Sequence, residues 1–323
     1  MKKLFIEQSI NTELVKLNIF TIPKLIKIIL KERCQVVHTH LIHADILGRI
    51  AAIIALILNK HVIFTTVHDV HWFRWEKGFF YRIVRFGDFI QTLPKACHII
   101  AISESVKDLL VQKQHYRPKK IEVLYNAIEI TEGQKRIIAD ISSIKCLYLG
   151  RLVKEKNLSC LLRALSLLKN EPVSLTIVGE GEEESKLKSQ IQELGIQGKV
   201  DFVSATLEPE KFYQSHDVFI LPSSHEGLGI VILEAFHHRL PVIGSNVHGI
   251  RELLAEERGL LFEDNDEMVL AAHISTLLYK PELRSEYGQR GYEYVKINHD
   301  IREYVHRLHS LYHIALTARI NEN

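Results

Sequence analysis

The sequence predicts an α/β protein built from two doubly wound, parallel-sheet domains that face each other across a cleft. Three observations point there. The chain has 323 residues, and at roughly 100–200 residues per domain that length suits about two domains. Short apolar runs ending in polar residues alternate with helix-length amphipathic stretches, the pattern of a parallel sheet covered by helices on both faces. The composition is globular, with 46% hydrophobic and 25% charged residues and only 8 Pro and 16 Gly. That is enough apolar material for two cores, and it is unlike a disordered or collagen-like chain.

In the first half, residues 36–39, 61–66, 98–102 and 121–124 read as strands, and about 22–31, 43–58, 78–93 and 104–114 as helices. Ser103 follows a strand and precedes a helical period through Lys107 and Leu110, which suits an N-cap. The polar stretch AIEITEGQKRIIADISS (127–143) has no clean period and reads as a linker. A second series then places strands at 145–149, 173–178, 200–203, 217–221, 241–244 and 259–262. Its helices fall at 158–168, 182–194, 230–237, 266–278 and 282–294. Ile301, Tyr304, Val305, Leu308, Leu311, Tyr312 and Ala315 recur at helical spacing and define a last helix. The expected division is a first Rossmann-like domain with linker (1–140), a second (141–300), and a C-terminal helix (301–323) packing back on the first.

Charge sharpens the division. The chain carries 41 Lys+Arg and 39 Asp+Glu, a net of +2. Residues 1–140 hold 21 and 13 of these, or +8, and residues 141–323 hold 20 and 26, or −6. A basic half joined to an acidic one points to an anionic partner for the first domain. The 4 cysteines (Cys34, Cys97, Cys146, Cys160) form no C-x-x-C pair, which excludes a disulfide framework or a zinc ribbon and suits reducing cytosol. The start MKKLFIEQSINTELV lacks the apolar core of a signal peptide. The longest apolar run, 50–58, falls well short of the ~20 residues of a spanning helix. A cytoplasmic protein is expected.

Three segments carry chemistry. In CLYLGRLVKEKN a strand ends at Leu149, Gly150 permits a tight turn, and Arg151 and Lys156 lie in the loop before a helix. Ligands of open parallel sheets bind beyond the carboxyl ends of strands, and two cations there suit a diphosphate. The alternative is two solvated loop charges. VGEGEEESKL has Gly179 and Gly181 after a strand but lacks the third glycine of a dinucleotide fingerprint. Its acidic run would repel a pyrophosphate, so it reads better as the wall of a nucleoside pocket and a favourably charged helix start. In ILPSSHEGLGIVILEAFHHRLPVIGSN, Glu226 and Glu234 are eight apart around a helix start. On a helix that is slightly over two turns, which would put both carboxylates near one face. Gly227 and Gly229 let the backbone approach a ligand closely.

The segments YLGRLVKEKN, IVGEGEE, LPSSHEGLGIVILEA and PVIGSNVHGIREL, in this order and spacing, resemble glycosyltransferase family 4. VVHTHLIHADILGRIAA, FTTVHD, IIAISESVKDLL and VLYNAIEI resemble that family's acceptor domain, so the likeness runs from about Ile22 to Leu316. It implies a GT-B fold and a retaining, metal-independent enzyme that uses nucleotide-sugar donors. By the same resemblance, Arg151 and Lys156 hold the donor diphosphate and Glu226 meets hydroxyls of the donor sugar. Glu234 binds the ribose, and the backbone of Gly227, Leu228, Gly229 and Ile230 meets the phosphates. Gly150 and Gly179 complete the donor-binding set. His68, in TTVHD, matches a cleft histidine near the reacting centre, which makes His68, Glu226, Arg151 and Lys156 the candidate catalytic residues. No metal and no other cofactor is expected.

The sequence departs from the family's pattern in places. His248-Gly249 stands where the family has Gly-Gly, and Asn126-Ala127 where Asn-Gly is common. Family members also begin with a strand, a glycine-rich loop, a helix and a second strand before the region matching Ile22, which makes the first domain look incomplete. The loss is expected to expose the edge of a neighbouring strand. Of the 18 histidines, His38, His40 and His43 cluster with Thr39, and His306, His309 and His313 share a helical face. Only Glu303 stands at a usual ligand spacing, so loop and surface roles are favoured over a metal site. Asp264-Asn265-Asp266 reads as a turn with an N-cap rather than a metal-binding Asp-x-Asp.

The basic half lacks a nucleic-acid-binding signature. It sets Lys24, Lys27, Lys31 and Arg33 around Ile22, Leu25, Ile28, Ile29 and Leu30. Trp72, Phe73, Trp75, Phe79 and Phe80 stand among Arg74, Lys77, Arg82 and Arg85. Such mixtures suit peripheral contact with an anionic membrane at the inner face of the cytoplasmic membrane, or else a domain core with charges outside. The resemblance implies transfer of a hexose or aminohexose from a nucleotide-sugar to a glycan or lipid-linked acceptor in surface polysaccharide or lipopolysaccharide assembly. The alternative is a truncated, catalytically impaired relative that keeps donor binding. Another GT-B enzyme, such as a nucleotide-sugar epimerase, is disfavoured by RLVKEKN together with EGLGIVILE.

Overall fold

The computed structural model describes residues 18, 20–68, 94–114, 116–131 and 142–321. The helix expected at 78–93, the aromatic and basic cluster at 72–85, and most of the linker lie outside them. The first unit contains α1 (Thr21–Lys31), β1 (Val36–His40), α2 (Ile42–Ala55), β2 (Val62–Val67), β3 (Cys97–Ala101), α3 (Glu104–Gln114) and β4 (Ile121–Val123). Its strands form a parallel sheet in the order β1-β2-β3-β4. β2 is buried along nearly its whole length, which is why VIFTTV reads as one continuous run rather than an alternation.

The apolar stripe of α1 faces inward, not to a membrane. Ile29 is buried, and Ile22, Leu25, Ile26 and Leu30 pack on Ala51, Ala52 and Ala55 of α2, while Lys24, Lys27 and Lys31 are exposed. The small alanines let the two helices approach closely.

The second unit comprises β5 (Ile144–Leu149), α4 (Leu158–Leu167), β6 (Val173–Val178), α5 (Glu184–Leu194), β7 (Val200–Val203), α6 (Glu210–Ser215), β8 (Val218–Leu221), α7 (Ile230–His237), β9 (Val242–Ser245), α8 (His248–Leu254), β10 (Leu260–Phe262), α9 (Glu267–Tyr279) and α10 (Pro281–Asn298). All strands are parallel, ordered β10-β9-β8-β5-β6-β7. From β5 the sheet is built outward one way through β6 and β7 and then the other way through β8, β9 and β10, so a crevice opens beyond the carboxyl ends of β5 and β8, where such sheets bind ligands. The sequence reading lacked α6 and α8, of 6 and 7 residues, because fewer than two full turns leave no readable period.

α11 (Ile301–Asn321) returns to the first sheet. Tyr304, Leu308, Leu311, Tyr312, Ala315 and Leu316 pack on Val62, Phe64, Ile100 and Leu124. The crossover is pinned where the linker was expected to be irregular. Ile128 N–H donates to His299 O (2.9 Å), Ile301 N–H donates to Ile128 O (2.9 Å), and His299 Nδ1 meets Asn126 O (2.7 Å).

The loops after β5 and β6 interlock through glycine. A Cβ on Gly179 would lie 1.9 Å from Gly150 O, and one on Gly181 would lie 2.2 Å from Leu152 O. Gly150 N–H donates to Val178 O (3.0 Å) and Leu152 N–H to Glu180 O (2.9 Å). These glycines serve loop-on-loop packing, which accounts for their spacing without a phosphate. Gly179→Ala and Gly181→Ala should each destabilise by about 1–3 kcal/mol, the usual cost of overpacking. Gly198→Ala, whose Cβ would meet nothing within 4 Å, should leave the melting temperature unchanged in thermal denaturation.

Candidate active site

The site sits on the switch point. β5 delivers Gly150 and Arg151 to its carboxyl end; Tyr148 is fully buried and its hydroxyl donates to Arg151 O (2.8 Å). Arg151 itself is exposed and makes no ion pair among the described residues. One 3-10 turn, Lys154–Lys156, carries Lys156 back toward β8. Its Nζ lies 2.5 Å from Glu226 Oε2, with side chains 17% and 18% exposed. The two groups that the sequence separates by 70 residues thus form one partly desolvated ion pair.

The loop holding Lys156 is braced from the side. Asn157 takes a left-handed conformation (φ 47°) and its Nδ2 donates to Asp264 Oδ1 (3.0 Å) and Asn265 Oδ1 (3.1 Å). Ser224 Oγ donates to the same Asp264 oxygen (2.9 Å), and Ser224 N–H donates to Glu155 O (2.9 Å). Asp266 Oδ1 caps α9 by accepting Val269 N–H (3.0 Å). The Asp264-Asn265-Asp266 run is therefore a brace and a cap.

Glu226 precedes α7 rather than lying on it, so the two glutamates do not share a helical face. Glu234 is inside α7 and accepts the hydroxyl of Tyr213 (2.7 Å). Burial pushes the Glu234 carboxyl above its ordinary range, with the Tyr213 bond pulling it partly back. Gly229 (φ 88°) supplies the left-handed entry to α7, and Ile230 is 46% exposed at its start. Leu228, by contrast, is buried in the core.

Gly227 stands at the seam between the two units. A Cβ there would lie 2.3 Å from His68 O, and one on Gly249 would lie 2.5 Å from the Gly227 carbonyl. Ser103, the N-cap of α3 through Val106 N–H (3.1 Å), also donates its hydroxyl to Gly227 O (3.0 Å). So the His68 carbonyl, Glu226 and Lys156 belong to one neighbourhood; Arg151 follows β5 at the carboxyl end of the same sheet, and Glu234 lies within α7 against Tyr213.

Two further contacts at the seam are not readable from the sequence. Glu252 of α8 accepts Glu104 N–H and Ser105 N–H (both 3.2 Å), the Ser105 hydroxyl (2.8 Å) and the Tyr125 hydroxyl (2.5 Å). A carboxylate at the positive end of α3 is favourable, and here it ties one unit to the other. Burial and that carboxylate push the Tyr125 phenol well up. The other is the pairing of His40, already noted in the histidine cluster, with His68: the His40 Nδ1 lies 3.1 Å from His68 Nε2. Among the described residues no group of three or more His, Cys, Asp or Glu side chains is arranged to hold a metal ion.

Two parallel-sheet units with a site at their seam define the GT-B class of α/β proteins. Residues 130–294 match the family described as glycosyl transferases group 1, and residues 9–132 match glycosyltransferase family 4. The chain belongs to the glycosyl transferases group 1 family. It is 32% identical over 222 residues to an N-acetylgalactosamine-N,N'-diacetylbacillosaminyl-diphospho-undecaprenol 4-alpha-N-acetylgalactosaminyltransferase of Campylobacter jejuni, covering 66% of this chain and 60% of that protein. To the capsular polysaccharide biosynthesis glycosyltransferase CapM of Staphylococcus aureus it is 28% identical over 311 residues, 91% of this chain and 80% of CapM. Anabaena HepE, solved in complex with UDP, superposes with a TM-score of 0.82 at 19% identity, over 96% of this chain and 88% of that one.

His38 links stability to pH. Burial, with repulsion from His40 and His68, lowers it from 6.5 to about 3. The unfolded chain therefore takes up a proton that the folded chain refuses. The contribution of His38 to stability is fully present above pH 6.5 and is lost as pH drops toward 3. In His38→Phe the urea midpoint should fall less between pH 7.5 and about 4.5 than in the unsubstituted protein.

Proposed function

We propose that the protein transfers a hexose or aminohexose from a nucleotide-sugar, with UDP as the nucleotide, to a glycan or lipid-linked acceptor in cell-surface polysaccharide or lipopolysaccharide assembly. The carrying observation is the Lys156–Glu226 pair at the switch point, 2.5 Å apart and largely shielded from water. A cation already paired with a carboxylate is desolvated and positioned before the donor arrives, and an arriving diphosphate competes for it. The UDP held by the structural neighbour and the undecaprenol-linked glycan named for the Campylobacter relative support the choice of donor and acceptor.

In this reading Arg151 and Lys156 hold the diphosphate, and the amides from Gly227 to Ile230 meet it at the start of α7. Glu226 accepts hydroxyls of the donor sugar and Glu234 those of the ribose. The bond from the anomeric carbon to the phosphate oxygen breaks, and its electron pair leaves on the phosphate. Cations and helix-end amides stabilise that charge as it develops. The acceptor oxygen bonds the same face of the anomeric carbon and gives its proton to the departing phosphate oxygen. Configuration is retained, no side-chain base is required, and no metal is assigned.

The first unit meets the membrane in this reading. The turn after α2 leaves Ile57 82% and Leu58 76% exposed beside Lys60, and Lys24, Lys27 and Lys31 are exposed on α1. Apolar tips with basic neighbours suit an anionic interface. No helix among the described residues is long and apolar enough to cross a membrane.

The test is incubation of purified protein with radiolabelled UDP-sugars and isolated membranes. Transfer of label to lipid or glycan is expected, with Lys156→Ala and Glu226→Ala each lowering it at least a hundredfold while circular dichroism and melting temperature stay close to the unsubstituted values. Unchanged rates in either folded variant would remove that residue from the site.

A further inference from the structure

His40 ends β1 and His68 immediately follows β2, and the β1–β2 register sets His40 beside Thr66, two residues before His68. The rings meet with Nδ1 of His40 3.1 Å from Nε2 of His68 and centroids 5.4 Å apart. At that separation one ring donates a proton and the other accepts it. His40 is in turn placed by His38, whose ring centroid lies 4.2 Å away. His38 cannot turn freely, because its Nδ1 lies 2.5 Å from the Tyr312 hydroxyl of α11 and its Nε2 lies 2.7 Å from Thr66 Oγ1. A line of side chains thus runs from the C-terminal helix across the sheet to the seam.

We propose that His40 is a positioning residue for His68: it engages Nε2, fixes the tautomer, and leaves Nδ1 as the nitrogen presented to a substrate hydroxyl. This rests on the cleft role that the family resemblance implies for His68 in the proposed transfer, and on the His68 carbonyl lying against the Gly227 loop that carries Glu226. Sharing a single proton requires that the pair not be doubly protonated, and the surroundings favour that. Burial lowers both His40 and His68 from their ordinary value, and His40 further lowers His68. Among the described residues, His38 on β1 and Asp45 on α2 face the pair, and Tyr312 on α11 reaches it only through His38. Only Asp45 pulls His40 upward. That carboxylate is itself engaged by Arg49 Nη2 (2.8 Å) and by the hydroxyls of Thr39 and Thr65, so its hold on His40 is weakened.

The experiment is imidazole nitrogen NMR on the full-length protein carrying nitrogen-15 histidine, with His68 assigned from His68→Gln and followed across pH 5–8. The membrane transfer assay is run in parallel. In His40→Ala, His68 should titrate at higher pH and its Nε2 and Nδ1 shifts should change. The apparent kcat should fall about tenfold or more, with little change in KM for the donor. His40→Asn, which keeps a hydrogen-bonding atom near the Nδ1 position, should recover most of both. Unchanged His68 shifts and titration in folded His40→Ala would overturn the proposal, as would a kcat equal to that of the unsubstituted protein. If His68→Ala itself transfers at the full rate, the placement of His68 fails. If His68→Ala is inactive and His40→Ala is indistinguishable from the unsubstituted protein, the positioning role alone fails.

Discussion

Everything at the site depends on how closely the loop ahead of α7 approaches the end of β2. Gly227 has His68 O on one side and Gly249 on the other, and neither side has space for a Cβ. The Ser103 hydroxyl fixes the Gly227 carbonyl from the first unit. This backbone contact sets the distance between the strand that ends in His68 and the loop that carries Glu226. Side-chain adjustments of a few tenths of an ångström cannot replace it, because the contact atoms are backbone. Glu252 reinforces it from α8 by capping α3 across the same seam.

The electrostatics follow from that geometry. A lone lysine in a partly buried pocket would be costly, and the pairing of Lys156 with Glu226 offsets much of the desolvation. In the function proposed above the pair is conditional: a diphosphate presents more negative charge to Lys156 than one carboxylate does, and its arrival would free Glu226 for sugar hydroxyls. Arg151 stays exposed and unpaired with any carboxylate among the described residues, as the proposed role of a second cation for the diphosphate requires. The acidic excess of the second half is spread over helix surfaces such as α5, where Glu183 and Glu184 pair with Lys186 and Lys188.

Much of this was legible in the chain, for identifiable reasons. Buried parallel strands announce themselves as uninterrupted apolar runs, so β2, β6 and β8 were found within a residue of their bounds. Ser103 was readable as a cap because capping is local, and its second bond to Gly227 was not, because that partner is 124 residues away. The same distinction separates Glu226, evident from its glycine-rich surroundings, from its pairing with Lys156. The α1 stripe left two destinations open in the sequence, because periodicity shows that a helix has an apolar face and not whether that face meets a core or a membrane; the packing on α2 selects the core. His40 was noticed within a histidine cluster, yet only strand register brings it to His68. Gly179 and Gly181 looked like a fragment of a phosphate loop because close backbone packing and phosphate binding both demand glycine.

The most direct test of the donor site at this seam is hydrogen–deuterium exchange with and without UDP. The account predicts slowed exchange concentrated in residues 150–157 and 222–234, with a smaller effect around His68 and the start of α3 as the seam tightens. Protection confined to other segments, or no protection at saturating UDP, would contradict it.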